Sequence, residues 1–325
     1  MHEAVTRSKK KSPEEPDIVA MLVLEGTPYI AETIRSITEP YGIKSTVSSV
    51  FCHQKPTVEF NRKQDRCELG DVLIAHRHYN PYGKAISSNS ILLQAKMFNG
   101  SHYEIPHKEQ HQLRLYEHWP RFEYIRSAPW LNGATRDVRP KARHNGAQYL
   151  LIDNSFLGSP LSGMLGLPNT HCMAVWPAMS TLYPNNSLAD ELIRFMIGLT
   201  GRPFEDDLSR DPTNWSTVVW DLLEHSLRFV FNRRNVNSTN TSRFGGDTMN
   251  SPIPLMNFRT IGDVESPNLS VQEQKELLRE RLTNPQRSRH QEPPYYETPA
   301  TEIPDDSGGV SIILIETKEP ERRRG

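Results

Sequence analysis

From about Asn235 to the C-terminus the sequence turns to Asn, Ser, Thr, Gly and Pro, with nine prolines between residues 251 and 325. Such composition buries too little apolar surface to offset chain entropy, so the fold must be built mainly from what precedes it. The domain is therefore expected over residues 17–235. Residues 1–16 read as a flexible tail, 236–309 as a linker with one short charged helix over Val271–Leu282, and 310–325 as a terminal strand with a basic end. The chain has 325 residues, 36% of them hydrophobic, enough for one large core or two modest ones. The formal net charge is −1, so any charged partner has to be argued from local patches. The longest apolar runs, Ile18–Leu24 and Ile91–Leu93, fall far short of a membrane span, and residues 1–17, without an apolar stretch or small-residue cleavage site, do not read as a secretory leader. Three cysteines (Cys52, Cys67, Cys172) without a CxxC argue against a disulfide framework and for a reducing cytoplasm.

Thr27 and Pro28 fit an N-cap and first helical position, opening a helix that carries Glu32 and ends near Thr38. Ser45–Cys52 and Thr57–Phe60 read as strands, as do Phe122–Ile125, Gln148–Ile152 and Met173–Trp176. Asp71 opens the apolar run Val72–Ala75, and a second run, Ile91–Ala95, follows a polar connection, which reads as a hairpin with a long tip. His107–Trp119 has helical spacing before Pro120. Ser187–Thr200 and Asn214–Phe231 read as helices that cover the core.

The hairpin places Asp71 at the start of one strand and Gln94-Ala95-Lys96 at the end of the next. Side chains alternate along a strand, so Gln94 and Lys96 share a face. This arrangement resembles the PD-(D/E)xK nuclease superfamily, in which an Asp on one strand, a (D/E)xK tripeptide on the adjoining strand and an acid from an upstream helix form the site. Gln94 departs from the usual acid and matches the QxK form of the Mrr-like restriction endonucleases. Downstream, Gln112-Leu113-Arg114-Leu115-Tyr116 fits the QxxxY motif of RecB-like nuclease domains.

The resemblance implies an α/β, restriction-endonuclease-like fold: a mixed β-sheet flanked by helices, followed by the flexible Pro-rich tail. It implies Mg²⁺ or Mn²⁺ held by Asp71, by the Gln94 amide oxygen, by the Ala95 backbone carbonyl and by Glu32 as the upstream acid. Lys96 would orient the attacking water and stabilise the charged phosphate. Gln112, Tyr116, Arg114 and Arg121 are then expected to contact the substrate, with Gln112 and Tyr116 alternatively bracing the site. The implied activity is metal-dependent hydrolysis of DNA phosphodiester bonds in bacterial restriction or phage defence, with a helicase, ATPase or other defence subunit as a further partner and no membrane. The alternative is a catalytically silent module of the same fold that binds nucleic acid or protein. A third reading is a structural adaptor working through the tail.

Other patterns carry less. Residues 107–144 hold eight Lys or Arg against four acids, a basic run next to the motif that suits DNA. Glu316-Thr317-Lys318 is an ExK ending an apolar strand, but no helix follows it, so it reads as a strand completing a sheet. His107 and His111 match no zinc-hydrolase motif. Neither a P-loop, a GxGxxG fingerprint nor a GxSxG elbow is present.

Overall fold

A computed structural model describes residues 14–24, 26–52, 56–153, 172–184, 186–206, 210–228, 256–260 and 309–320. The expected helix at 271–282 and most of the tail and linker lie outside these residues.

The architecture is mixed α/β. Its principal sheet contains β1 (Lys44–Val50), β4 (Val72–Tyr79), β5 (Ala85–Phe98), β9 (Ala147–Asp153), β10 (Cys172–Val175), β12 (Asn186–Ser187), β13 (Arg202–Pro203), β14 (Met256–Thr260) and β15 (Ser311–Lys318). The strands run in the order β12-β10-β9-β5-β4-β15-β1-β14, with β13 on β5. A second sheet, β3-β2-β7-β8, uses Thr57–Phe60 as β2, Asp65–Glu68 as β3, Phe122–Arg126 as β7 and Thr135–Arg136 as β8. A small ribbon pairs β6 (Tyr103–Glu104) with β11 (Thr181–Leu182). The helices are α1 (Glu15–Leu24), α2 (Gly26–Thr38), α3 (Gln110–His118), α4 (Leu188–Met196) and α5 (Trp215–Arg228).

The principal sheet is buried on both faces, and two apolar clusters lie on either side of it. One joins Ile18, Val19, Val23 and Ile34 from α1 and α2 to Val72, Ile74, Ile91, Leu93, Ile313 and Ile315. The other joins Leu73, Leu92, Ile312 and Leu314 to Leu115 and Tyr116 of α3, Val218 and Leu222 of α5, and Val58, Phe122 and Tyr124 of the second sheet. This sandwiching accounts for the uniformly apolar reading of Ile18–Leu24. A helix buried all round shows no amphipathic period, and the run forms most of α1.

Two expectations change. The hairpin tip is short, because β4 and β5 pair from Val72↔Leu93 out to Tyr79↔Ala85 and only Asn80–Lys84 turns. The polar residues of these strands find partners across the sheet: His76 Nε2 and His78 Nδ1 both meet the Thr317 hydroxyl, at 2.9 and 2.8 Å. The terminal strand completes a sheet as expected, but at its centre. β15 lies between β1, antiparallel, and β4, parallel, with eight paired residues from Ser311↔Val72 to Lys318↔Tyr79. The region read as linker also contributes β14, which edges the sheet beside β1. The 17–235 segment therefore does not hold the whole sheet.

At the end of α3, Trp119 adopts a left-handed conformation before Pro120 and packs into an aromatic cluster. His144 stacks on Trp119 at 4.8 Å and meets Trp215 edge-on at 4.8 Å. Burial, and then the Arg202 guanidinium, lower the His144 pKa to about 3. Burial, with His78 beside it, lowers that of His76 to about 4.

A folded-state pKa below the ordinary histidine value of 6.5 means the unfolded chain takes the proton first. Both histidines thus contribute stability that is complete above about pH 6.5 and is lost progressively as the pH falls toward 4 and 3. His144→Phe is expected to flatten this acid limb in urea midpoints measured against pH. A chain ending at residue 308 is expected to lose its cooperative thermal transition by circular dichroism. A wild-type melting temperature in that truncation would contradict the central place of β15.

Candidate active site around Asp71

Asp71 stands at the head of β4, where its N–H donates to Leu93 O at 2.9 Å and its carbonyl accepts from Ser311 N at 2.9 Å. The side chain is buried. Its Oδ2 accepts the Ala95 N–H at 2.7 Å and the Gln94 Nε2 at 2.5 Å. Asp71, Gln94 and Ala95 therefore meet across the β4–β5 pair, and the Lys96 ammonium is near enough to act on Asp71 through its charge. Lys96 Nζ lies 3.3 Å from Glu109 and 3.8 Å from Glu15.

Glu32 is exposed on α2, whose buried side is formed by Thr27, Ala31, Ile34 and Thr38, and it takes no part. The upstream helical acid beside Lys96 is Glu15, in the first turn of α1. The sequence reads residues 1–16 as a flexible tail, which leaves Glu15 outside the expected site. An available signal was Glu15-Pro16-Asp17 ahead of an apolar run, since proline and acids favour the first turn of a helix. Glu68, at the end of β3, and Glu109, just before α3, were also missed. Each stands within a few residues of a motif position, and only the tertiary fold turns it toward Lys96.

The electrostatics follow from one ammonium among several carboxylates. Burial, then Glu15 and Glu68, push the Asp71 carboxyl well above the usual range, against the Ala95 N–H and Lys96. Burial also raises Glu15 and Glu68. Burial opposes the charge on Lys96, but Glu15, Glu109 and Asp71 outweigh it and hold the ammonium pKa above the ordinary lysine value. The site is short of positive charge.

The expected substrate contacts are placed differently. Tyr116 is fully buried and its hydroxyl donates to Leu69 O at 2.9 Å, two residues before Asp71, so it braces the strand entry rather than meeting a ligand. Gln112 is buried on the same helix. Arg114 is held by Asp65 at 2.5 Å, and exposed Arg121 reaches Thr135 at 3.5 Å. The basic run is largely neutralised within the fold: Arg136 pairs with Asp221, Arg139 and Lys141 with Asp137, and Arg143 with Glu117. Charges counted along the sequence overstate the free positive surface here.

Among the described residues no three His, Cys, Asp or Glu side chains form a group that could hold a metal ion. Mg²⁺ does not need one, since it keeps several waters and is bound through one or two carboxylates together with substrate phosphates. Gln94 Oε1 is buried with no hydrogen-bond partner, an acceptor oxygen beside a carboxylate. Asp71, that orphaned oxygen and the nearby carboxylate of Glu15 are the hard-oxygen donors that suit such an ion.

No protein-family model, curated protein or solved structure matches the chain. Among the described residues no helix is long and apolar enough to cross a membrane.

Gly70 makes the approach to Asp71 tight. A Cβ there would meet Leu92 Cδ1 at 2.7 Å, Leu92 Cγ at 2.8 Å and the Tyr116 hydroxyl at 3.1 Å. Gly70→Ala is expected to cost about 1–3 kcal/mol through overpacking, read as a lower urea midpoint. An unchanged midpoint would show that Leu92 yields freely.

Proposed function

We propose that the chain is a Mg²⁺- or Mn²⁺-dependent nuclease of the PD-(D/E)xK type, hydrolysing DNA phosphodiester bonds in the cytoplasm as part of a restriction or phage-defence system. The observation that carries this reading is the convergence of Asp71, Gln94, Ala95 and Lys96, with Glu15 beside Lys96 as the acid from an upstream helix. The principal sheet flanked by helices, and α3 with its Gln112 and Tyr116 behind the strand entry, agree with it.

Asp71, Gln94 Oε1 and Glu15 would hold the ion, with the Ala95 carbonyl as the backbone ligand. The ion would neutralise phosphate charge and lower the pKa of a bound water. Lys96 keeps its proton in the acid-rich site and presents a point charge to the developing phosphate oxyanion. Burial of Asp71 excludes bulk water from the carboxylate and strengthens every charge interaction around it. Tyr116 fixes the chain entering β4 through Leu69, which keeps Asp71 in register with Ala95. DNA contact would fall to exposed cations of the basic run, Lys108 and Arg121 among them.

A second reading has an observation of its own: the Gln94 amide occupies Asp71 as a donor, which suits a silent module that binds without cutting. Cleavage of linear and supercoiled DNA in Mg²⁺, Mn²⁺ and EDTA separates the two. Asp71→Ala and Lys96→Ala are each expected to lower cutting by about 10² or more, with Glu15→Gln also impaired. Glu32→Ala is expected to cut as wild type. Salt-sensitive DNA binding in chelator without cutting in any metal would overturn the enzyme and favour the silent module.

A further inference from the structure

Glu109 sits at the N-cap of α3, yet its side chain accepts nothing from the helix. N-caps favour Ser, Thr, Asp or Asn, whose short side chains reach back to the first free N–H groups. A 3₁₀ turn over His107–Glu109 leads into α3, with Glu109 N–H donating to Pro106 O at 2.8 Å, so the side chain is free for another partner. Here the carboxylate turns away from the helix. Glu109 Oε2 lies 3.3 Å from Lys96 Nζ and accepts the Tyr103 hydroxyl at 3.1 Å. Tyr103 is held in turn by the pairing of β6 with β11, opposite Leu182, which is fully buried.

Two carboxylates thus contact Lys96. Glu15 is also among the groups that act on Asp71, and a cation at Asp71 would draw it. Glu109 then remains as the acceptor for the ammonium. We propose that Glu109, steadied by Tyr103, is the positioning residue that holds the Lys96 ammonium at the Asp71 site. The rate predictions rest on the nuclease reading; the placement of Lys96 does not.

Serine at position 109 is a better cap and a worse partner for Lys96, so Glu109→Ser separates helix stability from positioning. The melting temperature is expected to hold or rise. kcat is expected to fall by roughly 10²-fold with KM within about 2-fold, as for a reacting group moved by about an ångström. Glu109→Asp should recover part of kcat, and Tyr103→Phe should show a smaller loss in the same direction. Glu104→Gln, on the opposite side of the ribbon strand, should cut as wild type.

A readout free of turnover accompanies these. Reductive methylation of Lys96, followed by mass spectrometry at fixed pH and without metal, should be several-fold faster in Glu109→Ser than in wild type. Wild-type kcat and wild-type labelling in Glu109→Ser would overturn the proposal. So would a fall in melting temperature with kcat and labelling unchanged, which would assign Glu109 to the helix alone. If the wild-type protein cuts no DNA, the nuclease reading fails, and the labelling result alone decides whether Glu109 holds Lys96.

Discussion

β15 forms backbone pairs with β4 over eight consecutive residues and with β1 over seven, so β4 has a strand on each side and apolar layers on both faces. A strand in that position has no exposed edge and no wet face, and a carboxylate at its head is desolvated. Asp71 owes its burial to this arrangement, and Ser311 N–H closes on its carbonyl. Residues 309–311 are equally confined. Ser226 Oγ donates to Val310 O at 2.6 Å, Ser311 Oγ donates to Cys52 O at 2.7 Å, and a Cβ on Gly309 would press on Cys52. The end of the chain is therefore part of the ground on which the site stands, since β15 pairs directly with β4 although Val72 and Ser311 lie far apart in the sequence.

How far this was readable from sequence depended on the range of the interaction. The β4–β5 pair was readable because Val72–Ala75 and Ile91–Ala95 are short apolar runs bracketing turn residues, which is local information. The same runs announced burial, and Asp71 with Gln94-Ala95-Lys96 announced chemistry. That β15 enters between β1 and β4 was not readable, since its Ile-Ile-Leu-Ile run suits any gap in a two-faced sheet. Glu15 was hidden because its helix is apolar all round and begins where the composition resembles a tail. The basic run at 107–144 misled for a third reason. Asp137 pairs locally with Arg139 and Lys141, but Glu117 comes to Arg143, and the distant Asp221 to Arg136, only in three dimensions.

The site is organised around an imbalance of charge. Glu15, Asp71 and Glu109 all act on Lys96, and Glu68 adds to the field at Asp71, with Arg126 as a further cation beside Glu68. A buried carboxylate without full compensation costs free energy that the rest of the fold must offset. The raised pKa values of Asp71, Glu15 and Glu68 express that cost: burial and the neighbouring carboxylates make each give up its proton less readily than an exposed carboxyl. Local instability of this kind is common where function needs a group that folding alone would not place.

The polar atoms left over tell the same story at finer grain. Gln94 gives its Nε2 to Asp71 and leaves Oε1 buried and unpaired. Glu109 occupies a capping position without capping. A leucine at position 94 and a serine at position 109 would each remove a local penalty, by eliminating an orphaned acceptor and by closing a helix end. Neither would serve the Asp71 site, because the first removes an oxygen beside the carboxylate and the second removes the acceptor nearest Lys96. Gln94 sits against Asp71 and Glu109 against Lys96, so each side chain does at the site what it does not do for the local backbone.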